Sequence, residues 1–219
     1  MKKKIVISFI GNSIKFIKIF KSIYPYAILN FYSWRFLSTI IFEKKDKPKS
    51  DMVVICGYDY SSQWYQYQKY YDHNVVYPLK FAKSISKKNA KIIYIDTINK
   101  ISKNKKKQKK YTFSRYEFAK KELRKVLLKN FKSVKILTLP VLVDNKKKAD
   151  VHGNIFTKVI YNFLITLNYT KTINPKKLKK KIIDNLYSNK NSKVVNLNPI
   201  LLGIPRSLFF DRILRLLND

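Results

Sequence analysis

The sequence predicts an α/β fold, a doubly wound parallel sheet with a small helical C-terminal lobe, from three observations. The runs Ile5 to Ile10, Asp51 to Cys56, Lys91 to Asp96 and Val134 to Leu139 are largely apolar and rich in β-branched residues, as strands covered on both faces are. Segments with apolar residues at helical spacing lie between them. The 219 residues suffice to bury one full core and leave a small appended lobe. The expected division is a sheet domain over 1–150 and a helical lobe over 151–219.

Taken in order, Ile5 to Ile10 is the first strand, and Ile14 to Phe20 continues at helical spacing. Tyr26 to Tyr32 reads as the second strand and Phe36 to Phe42 as a short third. Glu43 to Ser50 is a charged connection whose Pro48 and Ser50 mark the break before the strand at Asp51. Tyr58 to Tyr71 is aromatic and polar, and follows a strand at the sheet edge where ligands bind in open α/β folds. It either stacks on a nucleotide base or packs its rings onto the sheet. A helix from Asn74 buries Val75, Val76, Leu79, Phe81, Ala82 and Ile85, with Asn74 itself suited to the N-cap.

The next strand, Lys91 to Thr97, is followed by Ile98 to Lys110, whose lysine run from Lys103 repels itself and lacks an apolar anchor, so a solvated loop is expected. A helix from Ser114 to Asn130 turns Phe118, Leu123, Val126 and Leu127 inward. The strand from Val134 to Val143 contains Pro140. In the lobe, Asn154 to Leu167 reads as an apolar-rich helix, and Pro175 to Tyr187 as a basic one capped by Asn174, with Leu178, Ile182, Ile183 and Leu186 inside. Val194 to Leu197 is a short strand, and Arg206 to Leu217 a terminal amphipathic helix. Its default partner is its own domain; a second copy in a homodimer and an anionic membrane surface are the alternatives.

The formal charge is +34, from 47 Lys and Arg against 13 Asp and Glu. Such a balance ordinarily points to nucleic acid or an anionic membrane. Only six of the cations are Arg, however, while Lys, Ile, Asn, Tyr and Phe abound and Gly numbers 4, the usage of AT-biased coding. Arg is the preferred residue for bidentate phosphate and base-edge contacts, so no specific nucleic-acid partner is expected. The single cysteine, Cys56, excludes an internal disulfide and fits a reducing, cytoplasmic setting. His73 and His152 have no ligand cluster at metal spacing around them, so no metal is expected. Lys2 to Lys4 before Ile5 to Gly11 imitates a secretory leader, but Asn12, Ser13, Lys15 and Lys18 interrupt it and no cleavage site follows. No apolar run reaches the about 18 residues of a membrane span.

The chemistry-bearing stretch is Thr112 to Leu123. Tyr116 and Lys120 stand four apart and share one helical face. A phenol beside an ammonium is suited to acid/base work, since the cation favours the phenolate. An exposed lysine beside a half-buried tyrosine is the plain structural alternative. Tyr116 and Lys120 fall in an ordered set: Asp51 to Gly57, with its Asp-Met-Val-Val-Ile; Asn74 to Lys83; Lys91 to Thr97; then the Tyr-x-x-x-Lys pair; then Val134 to Val143 with its proline.

With these segments in this order, the chain resembles the short-chain dehydrogenase/reductase superfamily, closest to its extended, NAD-dependent epimerase/dehydratase branch, over residues 51 to 143. The resemblance implies a Rossmann-like NAD(P)-binding sheet. It also implies hydride transfer between NAD or NADP and a hydroxyl or carbonyl carbon, with a nucleotide-linked sugar as partner molecule. Tyr116 would be the general acid/base, Lys120 its neighbour and ribose ligand, and Thr97 the group holding the substrate oxygen. Gly11, Asn12 and Ser13 at the first strand-to-helix turn, Arg35 after the second strand, and Asn74 would complete the cofactor site. Arg35 favours NADP, being able to pair with a 2′-phosphate.

With Ile5 to Ser8 as the strand, the family's glycine positions fall on Phe9, Asn12 and Lys15, and Gly11 is off register. Two rival functions therefore stand beside the enzyme: a non-catalytic binding or scaffold protein of the same fold, and a basic protein held on a polyanion or membrane surface.

Overall fold

A computed structural model of the chain describes residues 4–43, 46–97, 112–139, 141–144, 146–149, 155–166, 172–187 and 194–196. The expected lysine-rich loop from Lys103 and the terminal helix Arg206 to Leu217 lie outside the described residues.

The sheet is built from β1 (Val6–Ile10), β2 (Ile28–Tyr32), β3 (Ser50–Ile55), β4 (Ser86–Thr97), β5 (Val134–Leu139) and β8 (Val194–Asn196), in the order β2-β1-β3-β4-β5-β8. The β1–β2, β1–β3 and β3–β4 pairs are parallel. The fold is the Rossmann-like α/β class, a parallel sheet flanked by helices. In β1 and β3 nearly every residue is buried, because helices cover both faces. Ser8 in the middle of β1 and Ser50 at the start of β3 share a hydrogen bond of 2.6 Å and the Asn30 amide reaches Ser8 Oγ at 3.5 Å, so these buried polar atoms satisfy one another. β4 begins five residues earlier than its apolar run, pairing Ser86 with Ser50 before an irregular stretch resets the register at Lys91 opposite Met52.

Helix α1 (Ile14–Ile23) turns Phe16, Ile19 and Phe20 inward. The expected third strand at Phe36 to Phe42 is instead a 3₁₀ turn (Trp34–Phe36) leading into α2 (Leu37–Phe42). Trp34 and Leu37 are buried and Ile40 and Ile41 pack behind them, a spacing of three and four that only a helix can point one way. Helix α3 (Tyr67–Tyr71) passes through a π-helical turn (Asp72–Val76) into α4 (Tyr77–Ile85). Asn74 therefore lies mid-helix and is no N-cap. Helix α5 (Thr112–Asn130) buries Ala119, Lys120, Leu123 and Leu127.

By its internal contacts the chain divides into two units. One unit spans 1–137 with 191–195; the other spans 138–190 with 196–219. The second unit holds β6 (Val141–Leu142) paired in parallel with β7 (Thr172–Ile173), and helices α6 (Ile155–Thr166) and α7 (Pro175–Tyr187). Helix α7 starts as read from the sequence: Asn174 Oδ1 accepts a hydrogen bond from Lys177 N at 2.9 Å, and Leu178, Ile182 and Leu186 are buried.

Candidate active site

The β1–α1 turn lies at the carboxyl end of β1. β1 runs on to Ile10, so Gly11 is the first residue past the strand, at φ 110°. A Cβ on Gly11 would stand 1.6 Å from the Cys56 carbonyl oxygen, which restricts the position to glycine. Gly11 N donates to Tyr32 O at 2.9 Å and Cys56 N to Ile10 O at 2.8 Å, closing the turn against both neighbouring strands.

This placement corrects the glycine register. Phe9 is still within β1, its buried ring 5.7 Å from Phe20 and 5.6 Å from Phe31, and so is not a residue of the turn. The same three-residue spacing carried on from Gly11 falls on Ile14 and Ile17, not on Asn12 and Lys15. Ile14 is the first residue of α1 and is 67% exposed.

Asn12 is exposed before the helix, and Ser13 takes the N-cap position with extended backbone and no side-chain capping bond. The first turn of α1 carries no acidic residue. The positive end of the helix dipole is thus left uncompensated by carboxylates. Arg35 lies in the turn just past β2 and is exposed.

At the end of β3, Cys56 Sγ donates to Gly11 O at 3.6 Å. Burial pushes its thiol up to about 11, against weaker lowering from the Ser13 backbone and the Lys120 charge. Beyond it, Asn74 braces the chain. Its Oδ1 accepts from Asp59 N at 3.0 Å, and its Nδ2 donates to Ser62 Oγ at 2.5 Å and Tyr70 O at 3.0 Å. Asp59 in turn accepts from Ser61 N and pairs with His73 Nδ1 at 3.3 Å. The Asn74 amide is engaged by protein groups on three sides.

Helix α5 carries the candidate pair, Tyr116 and Lys120. Lys120 is only 7% exposed, and its ammonium donates to Ile95 O at 3.2 Å, two residues before Thr97 closes β4. It lies 5.0 Å from the Tyr94 ring centre and 5.8 Å from that of Tyr116, so two aromatic faces and a carbonyl replace the water it has lost. The Thr97 side chain lies outside the described ones. Tyr116 is half-buried, with its ring edge-on to Tyr58 at 4.8 Å. The Tyr70 hydroxyl donates to Arg115 O, and Arg115 Nη1 donates to Tyr65 O at 2.9 Å, tying α3 to the start of α5. Burial pushes Tyr58, Tyr70 and Tyr94 up, which keeps those three as neutral phenols.

The structure brings the two residues singled out by spacing, Tyr116 and Lys120, onto one face of α5, and puts Gly11 in the turn after β1. Tyr94, 22 residues before Tyr116 in the chain, meets Lys120 without any local pattern to announce it, and Tyr58, from the aromatic segment after β3, meets Tyr116. Among the described residues no group of three His, Cys, Asp or Glu is placed to hold a metal ion, and no helix is long and apolar enough to cross a membrane.

No protein family and no curated protein matches the sequence. Solved structures do match the fold. The Helicobacter pylori ADP-L-glycero-D-manno-heptose-6-epimerase is similar with a TM-score of 0.54 at 13% identity, over 90% of this chain and 78% of that one. The Bordetella bronchiseptica enzyme WbmF, solved with NAD+ and UDP, is similar with a TM-score of 0.56 at 10% identity, over 90% and 74%. A short-chain dehydrogenase from Streptomyces avermitilis is similar with a TM-score of 0.52 at 10% identity, over 90% and 89%. These likenesses show that the chain shares the Rossmann-like α/β fold of those structures.

Proposed function

We propose that this chain is an epimerase/dehydratase- or reductase-like protein that acts on a hydroxyl or carbonyl carbon of a nucleotide-linked sugar, with Tyr116 as general acid/base. The observation that carries the reading is the pair of Tyr116 and Lys120 on one face of α5, with the Lys120 ammonium drawn to the end of β4. Tyr116 is only half-buried and its ring centre lies 5.8 Å from the Lys120 ammonium, so its phenol is the one suited to exchange a proton with substrate. Lys120 positions the reacting oxygen and a ribose, and Thr97 holds the substrate oxygen.

The turn residues fit a nicotinamide dinucleotide in part. Gly11 keeps the tight bend, and Asn12, Ser13 and the acid-free first turn of α1 would face the pyrophosphate. Arg35 would meet a 2′-phosphate, which makes NADP the better candidate than NAD; Asn74 contributes through the loop it braces. When bound, the dinucleotide would accept and return hydride, chemistry the side chains alone do not have. Ile14 sets the affinity low, because a branched side chain stands where a glycine would allow close backbone approach.

Ile14 and Ile17 also favour a second reading, a non-catalytic module of the same fold. Titrating NADPH and NADH fluorescence with the purified protein, together with turnover of a panel of nucleoside-diphosphate sugars, separates the two. Tyr116→Phe is expected to lower turnover by about a hundredfold or more while leaving dinucleotide binding unchanged. Absence of both binding and turnover in the unaltered protein would overturn the enzyme reading in favour of the module.

A further inference from the structure

The second unit carries a feature that the proposed chemistry does not use. Along α6, Ile155, Val159 and Phe163 are 72%, 59% and 61% exposed. Spaced four apart, they fall within about 80° of one another around the helix axis and make one apolar stripe. Lys158 and Asn162 adjoin it on one flank, and Lys158 is exposed.

A lysine turn is fixed to that same flank. Asp144 Oδ1 accepts hydrogen bonds from Lys146 N and Lys148 N, each at 2.9 Å, and Lys147 takes a φ of 60° between them. Ala149 N then donates to Asn162 Oδ1 at 2.6 Å, which seats the turn on α6. Lys146, Lys147 and Lys148 are all exposed, and with Asn162, Ile165 and Thr166 they line an open cleft of about 620 Å³. The result is an apolar stripe edged on one side by four ammonium groups.

We propose that this face of α6 docks on an anionic membrane surface, the apolar stripe entering the headgroup boundary and the lysines meeting lipid phosphates. A net charge of +34 supplies the complementarity, and an apolar stripe with a basic edge is the arrangement of helices that lie in the membrane interface. A second copy seated on the stripe would bring lysine against lysine. The chain's own C-terminal segment carries Arg206, Arg212 and Arg215 and would add to the same charge. A soluble polyanion leaves the stripe in water.

The test is co-sedimentation of the full chain with vesicles of phosphatidylcholine alone and of phosphatidylcholine mixed with phosphatidylserine. Binding is expected only to the mixed vesicles. Replacing Lys146, Lys147 and Lys148 by Gln should weaken it by about fivefold per lysine, and Phe163→Ser by about tenfold or more. A charge-matched triple on the first unit, Lys80→Gln, Lys83→Gln and Lys88→Gln, should change it by no more than about twofold. All of these positions are exposed, and unchanged circular dichroism confirms that each variant is folded. Equal losses from the two lysine triples overturn the proposal, as does an inert Phe163→Ser. It is equally overturned if phosphate displaces the protein from vesicles better than chloride at equal ionic strength, the mark of a small-anion site, or if Phe163→Ser dissociates a dimer in the absence of lipid.

Discussion

Gly11 and Ile14, three apart in the β1–α1 turn, are under different constraints. The first has no alternative beside the Cys56 carbonyl; the second has no structural need to be large, since its side chain is mostly in water. Ile14→Gly is therefore expected to tighten NADPH binding by about tenfold, at a cost of about 1 kcal/mol in helix propensity. Fluorescence titration and urea unfolding read the two effects separately. Cys56 gives a pH signature. Its thiol moves from an ordinary 9.0 to about 11 in the fold, so between those values the folded chain keeps a proton that the unfolded chain gives up. The associated stability is present in full below about pH 9 and is lost as pH rises to about 11, by about 2 to 3 kcal/mol. Unfolding curves across that range should decline more steeply for the unaltered protein than for Cys56→Ala.

At the scale of elements, the brace around Asn74 holds the segment after β3 to the π-helical turn between α3 and α4. Asn74→Ala leaves a buried N–H, a hydroxyl and a carbonyl without this partner and should cost about 2 to 4 kcal/mol. If Asn74 acts only through the brace, urea unfolding will show that loss while the dinucleotide affinity of the folded variant stays within about twofold. The central strands were legible because β1, β3 and β5 are near-continuous apolar runs, and α7 because its cap and stripe agree. Phe36 to Phe42 was misread because β-branched and aromatic residues imitate a strand when one of the decisive contacts, that of Trp34, lies outside the run. The helix at Tyr67 was hidden by tyrosines whose partners, Phe118 among them, are some fifty residues away. The same applies to the candidate site. Tyr116 and Lys120 follow from a spacing of four, whereas the glycine register was set from a strand ended at Ser8, two residues short of Ile10, where β1 stops.

Over the whole molecule, the charge of +34 works against compactness, because like charges are closer in the folded chain than in the unfolded one. Screening should relieve this. Raising sodium chloride from low ionic strength to about 0.5 M is expected to increase the thermal midpoint by about 3 to 8 °C, as followed by circular dichroism. A flat response would mean that the lysines are already far enough apart to be independent.

The same charge has a second effect at β2, the outer strand of the sheet, where Ile28 and Phe31 are about half exposed and Tyr26 just before them is 84% exposed. An edge strand with apolar side chains is a template for pairing with another chain, and mutual repulsion keeps two such edges from meeting. Salt that steadies each molecule also removes that barrier. Colloidal and conformational stability then pull in opposite directions: the buffer in which this protein melts highest is the one from which it first leaves solution.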